Sequence, residues 1–201
     1  MTLDQFRPLA ERALAPFVRA AKAVGATPNA VSVVAFLFAV AAGGAFYLGG
    51  TDPVWWPVAA LLVFANGWLD LVDGALAREL GVESEAGDML DHVLDRYADI
   101  AVIAGVAAGA DAYALGLLAV TGVLMTSYLG TQTQAIGLER EYGGLLGRAD
   151  RLALVGLAGV IAFLRPEVGG YGVLVLLLGL FAVVGHLTAL QRFAGAWGDL
   201  D

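Results

Sequence analysis

Apolar residues in this chain fall into long blocks that short polar segments separate. A helix needs about 20 mostly apolar residues to cross a lipid bilayer. Because backbone groups in lipid must bond within their own segment, such blocks favour helices over open sheets. The pattern predicts about six transmembrane helices, at residues 30–48, 54–78, 87–109, 111–134, 148–164 and 169–190.

The segment before these blocks has a different pattern. In residues 1–26, apolar side chains recur at roughly helical spacing between charged ones, with no long apolar run. This is typical of an amphipathic helix that lies along a membrane surface. We therefore predict an all-α integral membrane protein with one domain over residues 1–201, made of a juxtamembrane helix (1–26) and a transmembrane bundle (27–201).

Composition supports the membrane assignment and limits the chemistry. Hydrophobic residues make up 59% of the chain and charged residues only 15%, whereas about 25% of a soluble domain is charged. The chain has no cysteine and only two histidines, which excludes disulfides and thiolate metal sites. Any bound metal should therefore be a hard cation held by carboxylates, such as Mg²⁺ or Mn²⁺.

The placement of charge predicts orientation and environment. Most arginines and the single lysine, Lys22, lie on the side of the chain termini and of the polar loops 79–86 and 139–147. By the positive-inside rule, this side faces the cytoplasm in a multi-pass plasma-membrane protein. A net charge of −8 with one lysine suggests a high-salt organism, and hence an archaeal ether lipid. No nucleic-acid partner is expected.

Four aspartates stand out at the ends of the second and third predicted spans. Asp70 and Asp73 are three residues apart, and Asp91 and Asp95 are four apart, so each pair shares one face of its helix. A short loop makes the two helices antiparallel neighbours, which brings the four carboxylates together. Carboxylates in membrane helices are costly and indicate a functional site. Two divalent cations bridging these acids and a pyrophosphate would balance their charge.

The surrounding residues complete a family motif, D-x2-D-G-x2-A-R-x8-G-x3-D-x3-D. All eight specified positions match, at Asp70, Asp73, Gly74, Ala77, Arg78, Gly87, Asp91 and Asp95. The stretch thus resembles the signature of the CDP-alcohol phosphotransferases (CDP-alcohol phosphatidyltransferases).

That resemblance implies a reaction and a site. These enzymes transfer a phosphatidyl-type group, here phosphatidyl or archaetidyl, from a CDP-activated lipid to a small alcohol and release CMP. The resemblance also implies six transmembrane helices, a cytoplasm-facing site for two metal ions and a homodimer. It assigns Asp70, Asp73 and Asp91 to the metal, and Asp95 to the metal and to the role of general base.

Further segments are similar to the phosphatidylinositol-phosphate synthase branch of the family. Thr27-Pro28-Asn29 resembles a segment that contacts the nucleotide there, and Ser84 lies where that branch has Thr or Ser near the nucleotide. The resemblance adds signature residues to the site for the CDP-lipid: Gly74, Ala77, Arg78 and Gly87.

The acceptor side resembles this branch only in part. Arg148 and Arg151 lie in a segment similar to one whose arginines bind the acceptor's phosphate. However, Gly130 and Gln132 stand where that branch typically carries cations. Inositol 1-phosphate, glycerol 3-phosphate and a neutral alcohol therefore remain alternatives for the acceptor.

Two other kinds of membrane protein also place acids in transmembrane helices. A membrane prenyltransferase holds metal and pyrophosphate with Asp clusters, but it gives no reason for the Gly-x2-Ala-Arg segment between the acids. A cation transporter with intramembrane carboxylates is the non-enzymatic alternative. Release of CMP from a CDP-lipid distinguishes both of them from the CDP-alcohol phosphotransferase.

Overall fold

The fold is a bundle of seven helices and one short hairpin within residues 7–138 and 146–200, the part that the computed structural model describes. This confirms the all-α prediction, and the predicted N-terminal helix is present from its seventh residue. The elements are α1 Arg7–Ala23, α2 Pro28–Gly49, α3 Trp55–Leu80, α4 Glu85–Gly109, α5 Tyr113–Ala135, α6 Arg148–Leu164, β1 Glu167–Val168, β2 Tyr171–Gly172 and α7 Val173–Gly198.

Four helices in the described residues are long and apolar enough to cross a membrane by length and composition: α2, α3, α5 and α7. Two of the six predicted spans, α4 and α6, do not meet that measure. The middle of α4 carries Asp95, Arg96 and Asp99, and α6 has only 17 residues. For these two helices, a full crossing stays a prediction.

Capping residues set the helix ends nearest the acid motif. Thr27 precedes α2, and its hydroxyl accepts a hydrogen bond from the backbone N–H of Ala30 at 3.3 Å. Ser84 caps α4 in the same way through Gly87, at 3.1 Å. Gly81 ends α3 with φ 63°, the left-handed conformation that glycine adopts without a Cβ penalty. The connection from α3 to α4 is therefore short, as the sequence predicted.

Small residues let the helices pack closely. Gly43 of α2 and Gly105 of α4 lie backbone to backbone, so that a Cβ on either glycine would meet main-chain atoms of the other helix. Gly122 of α5 and Gly185 of α7 make a similar approach. In a membrane, where apolar surface gives little net drive to association, such close packing contributes much of the helix–helix attraction.

Helix α1 lies against the outside of α3. Its buried side chains Leu14 and Val18 pack on Val72 and Leu76 of α3. At the end of α1, Lys22 forms an ion pair of 3.0 Å with Glu79. One face of this helix therefore packs on the protein, and its position along a membrane surface stays a prediction.

The chain turns sharply between α6 and α7. The antiparallel strands β1 and β2 are joined by Gly169 and Gly170, which have φ of 62° and 83°. Two consecutive positive φ values match the tight hairpin turns that glycine favours. The last span, predicted from residue 169, therefore begins at Val173, because residues 169–172 belong to the hairpin. Most of the second polar loop, at 139–145, lies outside the described residues.

Candidate active site

Three of the predicted metal ligands converge between α3 and α4. Asp70, Asp91 and Asp95 each contribute a carboxylate oxygen, and these oxygens lie within 4.8 Å of one another. All three side chains are partly buried. The two helices both pack on α2 rather than on each other, and their acids face one another beside it, which gives the cluster that the spacing predicted. An all-oxygen donor set of this kind suits Mg²⁺ or Mn²⁺.

The fourth aspartate, Asp73, lies one helical turn after Asp70. It is buried, and its Oδ2 atom has no hydrogen-bond partner among the described residues. An unpartnered buried carboxylate oxygen carries a substantial desolvation cost. A cation bound beside it would remove that cost, so Asp73 fits the metal role assigned to it.

The predicted nucleotide-side residues lie around this cluster in two groups. Arg78 folds back over Gly74, and its Nη1 atom lies 3.4 Å from the position that a Cβ on Gly74 would take. In the second group, a Cβ on Gly87 would lie 3.2 Å from the Ser84 hydroxyl and 3.5 Å from Oδ1 of Asn29. The starts of α2 and α4 therefore meet, and a side chain at this glycine would crowd the capping hydroxyl of Ser84.

The remaining predicted donor-side residues have structural roles in the fold. The Thr27 hydroxyl is used in capping α2, and Pro28 is the first residue of that helix, a position where its missing N–H costs nothing. Ala77 is partly buried in α3. Direct contact between these residues and the nucleotide stays a prediction.

The two arginines predicted to share one phosphate contact different carboxylates. Arg148 lies inside the acid cluster, where Nη1 is 2.7 Å from Oδ2 of Asp70 and Nη2 is 2.7 Å from Oδ1 of Asp95. Arg151, one turn later in α6, is buried and pairs with Oδ2 of Asp99 at 3.1 Å. Their joint role in acceptor binding stays a prediction. To bind a phosphate, each arginine must either leave its carboxylate or contact the carboxylate and the phosphate at the same time.

Two further arginines, neither of them predicted, lie near the acid cluster. Arg96 of α4 lies 3.6 Å from oxygens of both Asp95 and Asp99, and its Nη1 contacts the hydroxyl of Ser127 in α5. Asp99 is buried, at 5% exposed. It lies four residues after Asp95, so helical spacing places the two acids on one face of α4.

Arg192, near the end of α7, donates from Nη1 to the backbone oxygen of Thr126 at 2.7 Å. Thr126 directly precedes Ser127, so α5 brings Arg192 towards Arg96. No local pattern marks Arg192 in the sequence. We call Arg96, Arg148, Arg151 and Arg192 the arginine group.

The arginine group bears on the two positions of α5, Gly130 and Gln132, where the similar branch carries cations. Gly130 is buried, and Gln132 is partly buried. Arg96 reaches α5 at Ser127, one turn before these two positions. Positive charge near this part of α5 is therefore supplied from a neighbouring helix.

These features define a helical membrane protein with a carboxylate site for a divalent metal and an adjoining group of arginines. Residues 25–189 match the CDP-alcohol phosphatidyltransferase family. The chain belongs to this family, and it is a membrane enzyme of phospholipid synthesis. Family membership decides against the prenyltransferase and the transporter.

Individual relatives cover nearly the whole chain. Archaetidylinositol phosphate synthase of Methanothermobacter thermautotrophicus is 32% identical and covers 98% of this chain and 95% of its own. Phosphatidylinositol phosphate synthase of Streptomyces avermitilis is also 32% identical and covers 90% of this chain and 76% of its own.

Solved structures of phosphatidylinositol phosphate synthase from Mycobacterium tuberculosis have the same fold. The complex with manganese and citrate has a TM-score of 0.79 and 28% identity, over 92% of this chain and 88% of that chain. The form with CDP-DAG bound has a TM-score of 0.78 and 29% identity, over 92% of this chain and 94% of that chain.

Proposed function

We propose that this enzyme transfers an archaetidyl group from CDP-archaeol to inositol 1-phosphate and releases CMP. The observation that carries this proposal is the position of the arginine group directly beside the acid cluster. A phosphorylated acceptor needs cations next to the donor site, whereas a neutral alcohol does not. Arginine suits this role because its planar guanidinium binds phosphate oxygens in pairs.

Two further observations support the particular substrates. Relatives named archaetidylinositol phosphate synthase match the chain over at least 94% of its length. The acidic composition, with a net charge of −8, agrees with a high-salt archaeal source. Glycerol 3-phosphate as acceptor and CDP-diacylglycerol as donor are the alternatives that an experiment must separate.

The proposed donor site consists of the acids and their neighbours. Asp70, Asp73, Asp91 and Asp95 would hold Mg²⁺ or Mn²⁺, most simply two ions, which would neutralise the pyrophosphate charge of the CDP-lipid. Arg78, which lies over Gly74, is placed to contact a phosphate of the same group. Asn29, Ser84 and Gly87 meet at the ends of α2 and α4 and line the proposed nucleotide side.

Asp95 is the proposed general base. It lies between the acid cluster and the arginine group, because its two oxygens face Arg148 and Arg96. A carboxylate at this boundary can take the proton from the acceptor hydroxyl. The acceptor oxygen then bonds to the lipid-side phosphorus, and the bond from that phosphorus to CMP breaks. Positioning of the two substrates and fixed charge account for most of the catalysis.

The surroundings of the site follow from the same proposal. The carboxylates and Arg148 lie at the end of the bundle where Lys22 and Glu79 join α1 to α3. We place this end at the cytoplasmic face of the plasma membrane, where water-soluble acceptors and CMP are found. The chain is proposed to act as one domain and to form a homodimer.

The decisive experiment is a substrate panel. Purified enzyme with Mn²⁺ receives CDP-archaeol or CDP-diacylglycerol together with inositol 1-phosphate, glycerol 3-phosphate, inositol or serine. Mass spectrometry of the lipid product and measurement of released CMP identify the reaction. We expect archaetidylinositol phosphate as the main product. A faster reaction with unphosphorylated inositol or with serine would contradict the proposed phosphate acceptor.

A further inference from the structure

Arg148 has an unusual position for a residue expected to bind substrate. It is the first residue of α6, but its guanidinium lies between two carboxylates of the neighbouring helices α3 and α4. The distances are 2.7 Å to Oδ2 of Asp70 and 2.7 Å to Oδ1 of Asp95. Its side chain is only 16% exposed. Short contacts of this kind are charge-assisted hydrogen bonds, which are among the stronger polar interactions in proteins.

The same two carboxylates belong to the group that fits a divalent metal. A guanidinium and a metal ion are both positive, and both are stabilised by the negative charge of Asp70 and Asp95. Two cations close together also repel each other strongly in a partly buried site. Arg148 uses one oxygen of each carboxylate, so a metal on the remaining oxygens would lie next to the guanidinium, and binding of either cation weakens binding of the other.

The contacts of Arg148 also indicate how a metal ion could displace it. Its Nε atom is buried and has no hydrogen-bond partner among the described residues. The guanidinium is thus held on the side that faces the two acids, and no described side chain or carbonyl fixes Nε. Once a metal ion occupies Asp70 and Asp95, the attraction that remains on the arginine comes mainly from Asp99.

We propose that Arg148 competes with the divalent metal for Asp70 and Asp95 and thereby limits the metal affinity of the site. The arginine supplies the positive charge that buried acids need when metal is scarce. It raises the metal concentration at which the enzyme becomes loaded. This inference rests on the metal site of the proposed function, and the experiment below separates failure of the inference from failure of that site.

The test is a binding measurement on purified enzyme in detergent, without lipid substrate. Free Mn²⁺ is measured by electron paramagnetic resonance during a titration of wild type and Arg148→Gln. Glutamine removes the charge and keeps a polar side chain. The expected result is a dissociation constant for Mn²⁺ about tenfold lower in the variant, which corresponds to about 1.4 kcal/mol.

Arg151→Gln is the matched control. This arginine lies one turn further along the same helix and is also buried, but it pairs with Asp99. The substitution Arg151→Gln removes the same charge at a position that does not contact Asp70 or Asp95. The change in Mn²⁺ affinity should be clearly smaller than in Arg148→Gln. Equal changes in the two variants would show a general charge effect and overturn the proposed competition.

Thermal unfolding gives a second readout. In EDTA, Arg148→Gln should melt below wild type, because its acids have lost their neutralising partner. Added Mn²⁺ should raise its melting temperature more than that of wild type, since tighter ligand binding gives greater stabilisation at equal concentration. Arg148→Met, which keeps an unbranched apolar stem without the charge, is measured in the same way in case the glutamine variant does not fold.

Two other outcomes have distinct meanings. Mn²⁺ affinity that is unchanged or weaker in folded Arg148→Gln or Arg148→Met overturns the inference, because the arginine would then hold the acids ready for metal. Mn²⁺ binding that is absent in wild type, or unaffected by Asp91→Ala, instead rejects the metal site. Within the described residues the ion pairs of Arg148 are with Asp70 and Asp95, so Asp91→Ala removes a proposed metal ligand and leaves both ion pairs in place.

Discussion

The acid cluster and the arginine group adjoin each other but are specified in different ways. The acids come from one continuous stretch, residues 70–95, in two helices joined by a short loop. The arginines come from three helices and extend from residue 96 to residue 192. The acid cluster therefore depends on helical spacing, one turn and the packing of α3 and α4 on α2, whereas the arginine group depends on where α4, α6 and α7 lie in the bundle.

This difference has a consequence for function. The residues proposed to bind metal and donor lie in the part that local sequence specifies most tightly. The residues proposed to recognise the acceptor lie where a small change in helix packing can move them. Within one family, a fixed donor chemistry with varied acceptors is the outcome that such an arrangement favours. The predictions below test the two regions separately, in order of expected effect.

The largest effect is expected from removal of metal ligands. Asp70→Ala, Asp73→Ala and Asp91→Ala should each lower the rate of CMP release by more than about a hundredfold, because the loss of a direct ligand should exceed the 10–100-fold effects of residues that only orient ligands. EDTA should have the same effect on wild type, and Mg²⁺ or Mn²⁺ should restore activity. Full activity in EDTA would show that the acid cluster is not a metal site.

Asp95→Asn tests the boundary between the two regions. Asparagine keeps the shape and one coordinating oxygen but cannot accept the hydroxyl proton as a carboxylate does. Turnover should fall by about 10²-fold, within the range for loss of a general base, while CDP-lipid binding changes much less. Binding is measured with the CDP-lipid alone and turnover with both substrates. Wild-type turnover in this variant would rule out the general-base assignment.

Arg151→Ala tests the arginine group. Loss of a charge-assisted contact to phosphate should raise the KM for a phosphorylated acceptor by about tenfold, whereas the KM for the donor should hardly move. Arg148→Ala should also raise the acceptor KM. Arg165→Ala is the control, because this exposed arginine lies at the opposite end of α6. If Arg148→Ala and Arg151→Ala both fold normally and leave the acceptor KM unchanged, the acceptor is a neutral alcohol rather than a phosphate.

The smallest effect concerns the cap that positions the second pair of acids. Ser84→Ala removes the oxygen that accepts from the N–H of Gly87. Loss of such a cap costs about 1 kcal/mol, which corresponds to about 2–4 °C in melting temperature for a chain of this size. Ser84→Gly should cost less, since glycine is tolerated at this position. A larger loss with glycine than with alanine would contradict the capping role.

Much of the donor side could be predicted before the structure. The spacing of Asp70, Asp73, Asp91 and Asp95 predicted one shared site, and the structure brings Asp70, Asp91 and Asp95 within 4.8 Å. This succeeded because both periodicity and the short loop act over a few residues. The hairpin before α7 was not predicted, because a membrane-length apolar pattern does not reveal where the preceding turn ends.

The sequence by itself determined the helices, their amphipathic or apolar character and the convergence of the acids, since hydrophobic pattern, helical period and capping are local properties. Only the tertiary structure decided that Arg148 binds Asp70 and Asp95, and that Asp99 is buried against Arg96 and Arg151. These pairings join residues up to 78 positions apart. Which distant charges meet depends on which helix faces contact each other, and those contacts join helices that are far apart in the sequence.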